Sequence, residues 1–226
     1  MTEPTLVVVR NEVDSACEFH CDALEGLVPN AQAVDYPADE RPDLEDADGV
    51  VLTGSTAGVY ETDEYPWTED QKRLVRELVD REIPTLGVCF GHQIANAALG
   101  GTVEAAETTS RPVEVTFEDG DEPLFDGLSP VVPATHGDVV TEPGDEMTVI
   151  ASADYYRAFA TRHRTAPLWT VQFHPEYTAD LRARLEADFD WTEDERSLDD
   201  VNATRLVENF TAIVAERGNG ERSAPL

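Results

Sequence analysis

Short apolar runs alternate with helix-period segments along the first hundred residues. Residues 5–10, 49–53 and 84–88 are short apolar runs rich in valine and leucine with few polar interruptions, as in strands covered on both faces, and the shorter run 31–34 joins them. Residues 13–27, 69–82 and 92–99 carry their apolar positions at helical spacing. This succession predicts an α/β fold built on a parallel sheet. Past residue 100 the pattern changes. Runs at 113–117, 131–134, 147–151, 158–161 and 168–173 are separated by turn formers, so antiparallel strands or hairpins are expected to extend the sheet into a mixed one. Residues 181–189 and 201–214 read as closing helices. With no repeat and no linker, 1–217 reads as one domain, and the polar stretch 218–226 as a flexible tail.

Composition adds a surface to this core. The chain has 226 residues, 41% of them hydrophobic, enough for one globular domain, and 16 basic against 47 acidic side chains give a net charge of −31. Such a charge repels phosphate backbones and anionic membranes alike, which argues against nucleic-acid or membrane partners. Lys72 is the only lysine. Abundant carboxylates with almost no lysine resemble the proteins of salt-accumulating halophiles, where carboxylates keep a surface hydrated while salt screens their repulsion. No run approaches the roughly 20 apolar residues of a membrane helix, and the start, with Glu3, lacks a basic leader. A cytoplasmic location is expected. Three cysteines, Cys17, Cys21 and Cys89, form no staple-like pattern and fit a reducing compartment.

Chemistry concentrates at Gly87-Val88-Cys89-Phe90-Gly91-His92-Gln93, where a strand enters, a thiol sits between two glycines and a helix leaves. This is the spacing of a nucleophile elbow, whose tight turn needs small flanking residues and whose helix N-terminus offers N–H groups to developing negative charge. The competing assignment is a buried structural cysteine, which leaves the flanking glycines without a purpose. A thiol nucleophile needs a base and the base an orienter. His174-Pro175-Glu176, at the end of an apolar run, supplies both if the segment stays extended and its alternate side chains share one side. His92, three residues past the thiol on a helix, is poorly aimed by comparison.

Taken in order, these segments resemble class I glutamine amidotransferases, whose catalytic set is Cys-His-Glu. The elbow and Val171-Gln172-Phe173-His174-Pro175-Glu176 match two of that family's signatures. Leu52-Thr53-Gly54-Ser55-Thr56 sits where the family carries a glycine loop for the oxyanion, and Thr135-His136-Gly137-Asp138 resembles the loop that holds the amino-acid end of glutamine. The likeness spans about residues 5–176. It implies a flavodoxin-like three-layer sandwich with a mixed, mostly parallel central sheet and an antiparallel extension. It further implies Cys89 as nucleophile, His174 as base, Glu176 as orienter, and the N–H groups of Gly54 and Phe90 as oxyanion donors. Ser55, Gln93, Gly137 and Asp138 are expected on the substrate, with no metal and no cofactor.

The loop after Gly54 departs from the Gly-Pro run of subunits devoted to one synthase and is more like stand-alone, guanylate-synthase-like amidotransferases. The chain has no Gly-x-x-x-x-Gly-Lys-Ser/Thr loop, so acceptor activation with ATP would fall to a separate synthetase. The alternatives are a stand-alone hydrolase of γ-glutamyl compounds, a dienelactone-type cysteine hydrolase, which needs its third member as an Asp between nucleophile and histidine and is disfavoured by His174-Pro175-Glu176, and a non-catalytic module on the same fold. Cys17, His20 and Cys21 lie at helical spacing but lack a second ligand pair for zinc, and read as core. Tyr60, Tyr65, Pro66 and Trp67 read as a packed loop, with the mouth of a pocket or a partner surface as the alternative. The acidic run 191–200 reads as a solvated connection with a helix cap near Ser197.

Overall fold

The computed structural model describes residues 4–118 and 120–222. Its strands are β1 (Leu6–Arg10), β2 (Gln32–Asp35), β3 (Gly49–Leu52), β4 (Thr85–Val88), β5 (Thr102–Phe117), β6 (Val131–Glu142), β7 (Met147–Ala153), β8 (Tyr156–His163) and β9 (Leu168–Val171). Among the described residues they form one sheet in the order β2-β1-β3-β4-β9-β8-β7-β5-β6. Pairing is parallel from β2 to β9 and antiparallel from β9 to β6. This is the mixed sheet with an antiparallel extension that the patterning predicts.

Side chains alternate across the parallel strands and divide the core in two. Leu6, Val8, Val51, Leu86 and Val88 pack with Leu24 of α1 (Phe19–Leu27) and with Leu206, Val207, Phe210 and Val214 of α5 (Arg205–Arg222). Val7, Val9, Val50 and Leu52 face the other way, against Leu74, Val75 and Leu78 of α2 (Trp67–Asp80) and Ile94, Ala95 and Ala98 of α3 (Phe90–Ala98). Helices therefore cover both faces. A smaller cluster joins Leu185 of α4 (Arg182–Phe189) to Tyr177, Trp191 and Leu198. No helix among the described residues is long and apolar enough to cross a membrane.

Several boundaries differ from the pattern: β6 continues past residue 134 to Glu142, so residues 135–138 lie in a strand paired with β5 and not in the expected loop, and four others differ for local reasons. The first helix starts at Phe19, not near residue 13, because the Glu12 carboxylate takes the N–H groups of Val13 and Asp14 (2.8 and 2.9 Å) and Asp14 takes that of Ala16. Side-chain acceptors here outcompete the helix. Ser197 does cap, but it caps a short 3-10 turn, Leu198–Asp200, through a reciprocal capping box, and α5 begins only at Arg205. At the other end α5 runs to Arg222, so residues 218–222 continue a helix where a tail is expected, and 223–226 lie outside the described residues. Finally, β5 begins at Thr102; its first half is mostly exposed and lacks the apolar alternation that marks a strand.

Candidate active site

The parallel strands end along one edge of the sheet, and the chain changes its direction of spread there, since β2 lies on one side of β1 and β3 on the other. Such a switch point opens a crevice beyond the strand ends. Each strand end delivers one group: Glu12 after β1, Gly54 after β3, Cys89 after β4 and His174 after β9. The antiparallel part closes the crevice, with the His174 N–H bonded to Pro133 O of β6 at 2.9 Å.

Cys89 sits at φ +52°, ψ −104°, a conformation that side-chain-bearing residues adopt at a cost and that persists only when the surroundings impose it. Its N–H is held by Val171 O of β9 at 2.9 Å, and the Gly91 N–H by Thr53 O at 3.1 Å, so the elbow is stitched to two neighbouring strands. Packing is close enough that the glycines are steric requirements. A Cβ on Gly87 would stand 2.5 Å from Gly91 O, and one on Gly91 would collide with Leu52 O.

His174 lies beyond the end of β9 in a turn closed by the Tyr177 N–H on His174 O, not in an extended segment. The turn still aligns imidazole and carboxylate: Nδ1 is 2.7 Å from Glu176 Oε1, with both side chains buried. Tyr177 stacks flat on the imidazole, centroids 4.2 Å apart and planes 4° apart, which fixes the ring. The far nitrogen, Nε2, lies 3.3 Å from Thr135 O, and Cys89 Sγ lies 3.6 Å from the same oxygen. Thiol and imidazole thus converge on one point. Burial works against a charged His174, but the Glu176 carboxylate and the Cys89 sulfur outweigh it and raise its proton affinity well above the ordinary value. His92 is directed elsewhere. It bonds Thr170 Oγ1 (2.7 Å) and Tyr156 OH (3.0 Å) beneath the elbow, and burial lowers its pKa to about 3.

These groups open into a cavity of about 330 Å³, lined also by Ser55, Gln93, His136, Gly137 and Asp138. Gln93 Nε2 reaches Asp138 O (3.4 Å), and Ser55 Oγ accepts the Ala57 N–H (3.0 Å). Gly54 has no side chain for a reason: a Cβ there would lie 3.2 Å from His174 Cε1, 3.3 Å from His20 Cε1 and 3.5 Å from Cys89 Cβ. The Phe90 side chain is buried against Trp67, leaving only its backbone to serve the site. Tyr60 leaves the packed loop expected for it and bonds Asp138 Oδ1 (2.8 Å) at the cavity mouth, whereas Trp67 packs on Tyr36 and Phe90.

Two lining residues escape the sequence motifs. Glu12 and His20 form a buried pair, Oε2 to Nε2 at 2.7 Å, beside the thiol and the imidazole. His20 therefore commits its outer nitrogen to a carboxylate, and Cys21 Sγ sits 3.3 Å from Thr53 Oγ1. The available signal was positional: an acidic residue two places past the first strand.

Fold and site together define a protein with a thiol, an imidazole and a carboxylate at the strand ends of a sheet covered on both faces. Residues 16–189 match the family model for glutamine amidotransferase class I, and the chain belongs to that family. It is 34% identical over 153 residues to the glutamine-hydrolyzing GMP synthase subunit of Methanothermobacter thermautotrophicus, covering 66% of this chain and 74% of that protein. The corresponding protein of Halobacterium salinarum is 36% identical over 134 residues, covering 58% and 67%. Among solved structures, a glutamine amidotransferase from Thermotoga maritima superposes with a TM-score of 0.67 at 21% identity, covering 96% of this chain and 98% of that one. A Thermoplasma acidophilum protein superposes at 0.71 and 22% identity, covering 99% and 100%. These last two likenesses establish the fold.

Proposed function

We propose that this chain hydrolyses the side-chain amide of glutamine to glutamate and ammonia. The observation that carries the reading is the convergence of Cys89 Sγ and His174 Nε2 on Thr135 O, with Glu176 fixing the far side of the imidazole. Cys89 passes its thiol proton to His174 as its sulfur attacks the amide carbon, forming a C–S bond. The negative charge gathers on the former carbonyl oxygen, where the N–H groups of Gly54 and Phe90 are the donors, a task commonly worth about 3–4 kcal/mol of barrier. His174 gives its proton to the nitrogen as the C–N bond breaks, and ammonia leaves a γ-glutamyl thioester. Water, deprotonated by His174, then opens the thioester to glutamate and restores the thiol. Gln93, Ser55, Gly137 and Asp138 are assigned to the amino-acid end of the substrate, and Glu176 to holding His174.

Ammonia is assigned to an acceptor bound by a separate, ATP-using synthetase, as the likeness to the GMP synthase relatives and the missing phosphate loop suggest. The acidic, lysine-poor composition and the Halobacterium relative support a protein of a salt-rich cytoplasm. Neither a metal nor an organic cofactor enters the scheme. The test is ammonia release at high salt from glutamine and, in parallel, from γ-glutamyl peptides, with and without Cys89→Ala. Loss of turnover in the variant with glutamine preferred is the expected result. Full activity in Cys89→Ala removes the nucleophile, and a preference for the peptides replaces the substrate.

A further inference from the structure

A second imidazole–carboxylate pair stands next to the first. The side chains of His20 and Glu12 are only 3% and 1% exposed. Besides His20, Glu12 receives the N–H groups of Val13 and Asp14, and the N–H (3.1 Å) and hydroxyl (2.5 Å) of Thr56. Thr56 lies two residues past Gly54, so this carboxylate anchors the glycine loop to the segment after β1. His20 meets the same loop from the other side, its Cε1 3.3 Å from the place a Gly54 Cβ would occupy. Its ring stands edge to face with His174 at 6.0 Å.

From this arrangement we infer that Glu12 and His20 are a positioning pair that holds the Gly54 loop and sets the protonation equilibrium of the Cys89–His174 couple. The inference rests on the hydrolytic reading of that couple. Burial opposes a charge on His20, yet its hydrogen bonds to Cys21 and Glu12 and the nearby Glu176 carboxylate raise it to about 10. Burial likewise opposes a charge on Glu12, but the His20, Thr56 and Asp14 donors lower it to about 2. His20, hydrogen-bonded to the Glu12 carboxylate at 2.7 Å, is accordingly taken as the cation beside the couple at neutral pH. The other titratable groups around it are Cys17 and Cys21 of its own segment, His174 and Glu176 from the turn after β9, and Cys89 across Gly54. Arg184 and Asp188 of α4 act on Cys17 with opposite signs.

The sign of the effect does not depend on which member of the couple holds the last proton. Activation removes one proton from a thiol plus imidazolium, lowering the local charge by one whether the product is thiolate–imidazolium or thiol–imidazole. A neighbouring cation favours that loss. A unit charge at 6.0 Å moves the equilibrium by about half to two pH units for effective dielectrics between bulk water and ~20. Neutralising His20 should therefore delay activation to higher pH.

The experiment is the pH profile of kcat/KM for glutamine in His20→Gln and Glu12→Gln, beside wild type and Cys89→Ala. Glutamine at position 12 keeps an oxygen for Thr56 while removing the charge that holds the proton on His20. Both variants are expected to shift the acid limb upward by about half to two pH units. A pair that only packs the loop would lower the melting temperature and leave the limb in place. Because either variant can fail to fold, histidine-selective nitrogen NMR of the unsubstituted protein near about pH 8 reads the His20 ring directly. An unmoved limb in a folded variant, or a neutral His20 ring, overturns the inference. If Cys89→Ala is inactive in that outcome, the hydrolytic reading stands without it; turnover in Cys89→Ala fails the reading itself.

Discussion

The elbow makes a quantitative demand on Gly87. An alanine Cβ there would stand 2.5 Å from Gly91 O, 2.7 Å from Gly91 C and 3.1 Å from His92 N. All three are backbone atoms of the first turn of α3, and the Gly91 N–H is tied to Thr53 O, so no side chain can swing aside. Restoring van der Waals separation requires the strand and helix to part by ~1 Å. Forced backbone movement in a packed interior costs about 1–3 kcal/mol. For a chain of this length that lowers the melting temperature by about 2–10 °C, and a displacement of this size at the nucleophile costs turnover about 10²-fold. Gly26 provides the control, because a Cβ there meets nothing within 4 Å and its φ is not left-handed. Gly26→Ala should stabilise by about 0.5–1 kcal/mol through helix propensity. Thermal unfolding followed by circular dichroism at high salt, with glutamine hydrolysis on the same samples, checks both. Wild-type stability and turnover in Gly87→Ala, or shifts of the same sign in both variants, refute the steric account.

Two further substitutions probe the cavity. Glu176→Gln removes the charge 2.7 Å from His174 Nδ1 and lets the amide donate to that nitrogen, favouring the wrong tautomer; kcat should fall roughly 10²- to 10⁴-fold. Since an anion has been removed, any residual kcat/KM should show its acid limb shifted to lower pH, the reverse of the shift expected for His20→Gln; an upward shift would contradict the assigned charges. Tyr60→Phe deletes the hydroxyl on Asp138 at the cavity mouth, and should raise KM for glutamine roughly threefold to tenfold with little change in kcat. A kcat loss at constant KM would assign Tyr60 to the chemistry instead.

The elements that position Cys89 were legible because much of their sequence signal is local. The Gly87–Gly91 contact lies within a few residues and marks the turn in the sequence, although Leu52, Thr53 and Val171 of neighbouring strands complete its walls, and buried parallel strands leave unbroken apolar runs. His174 and Glu176 do lie in contact, but in a turn, where the spacing argument from an extended strand does not apply. The Glu12–His20 pair was not legible. It depends on α1 starting late, and that start is set by Glu12 itself capturing the N–H groups a helix would have used. The exposed half of β5 was missed for a different reason. Its pairing with β6 is carried by backbone hydrogen bonds, to which the apolar pattern is blind.

The charges of this protein act on two separate scales. The chain's net charge of −31, carried mostly at the surface, is a far field, screened beyond roughly 10 Å in ordinary salt and more closely in concentrated salt. Glutamine carries one ammonium and one carboxylate and no net charge, so such a field offers it neither attraction nor selection. Recognition and activation have to be local. The cavity meets that requirement with imidazoles and carboxylates set in pairs, Glu12 with His20 and His174 with Glu176, each 2.7 Å apart and withdrawn from solvent. Within each pair the charges largely cancel at a distance, while at the few ångströms that separate the rings from the thiol they do not. On the proposed reading, the acidic surface can therefore change with the solvent the protein inhabits without disturbing the proton balance at Cys89, because that balance would be set by buried neighbours in direct contact.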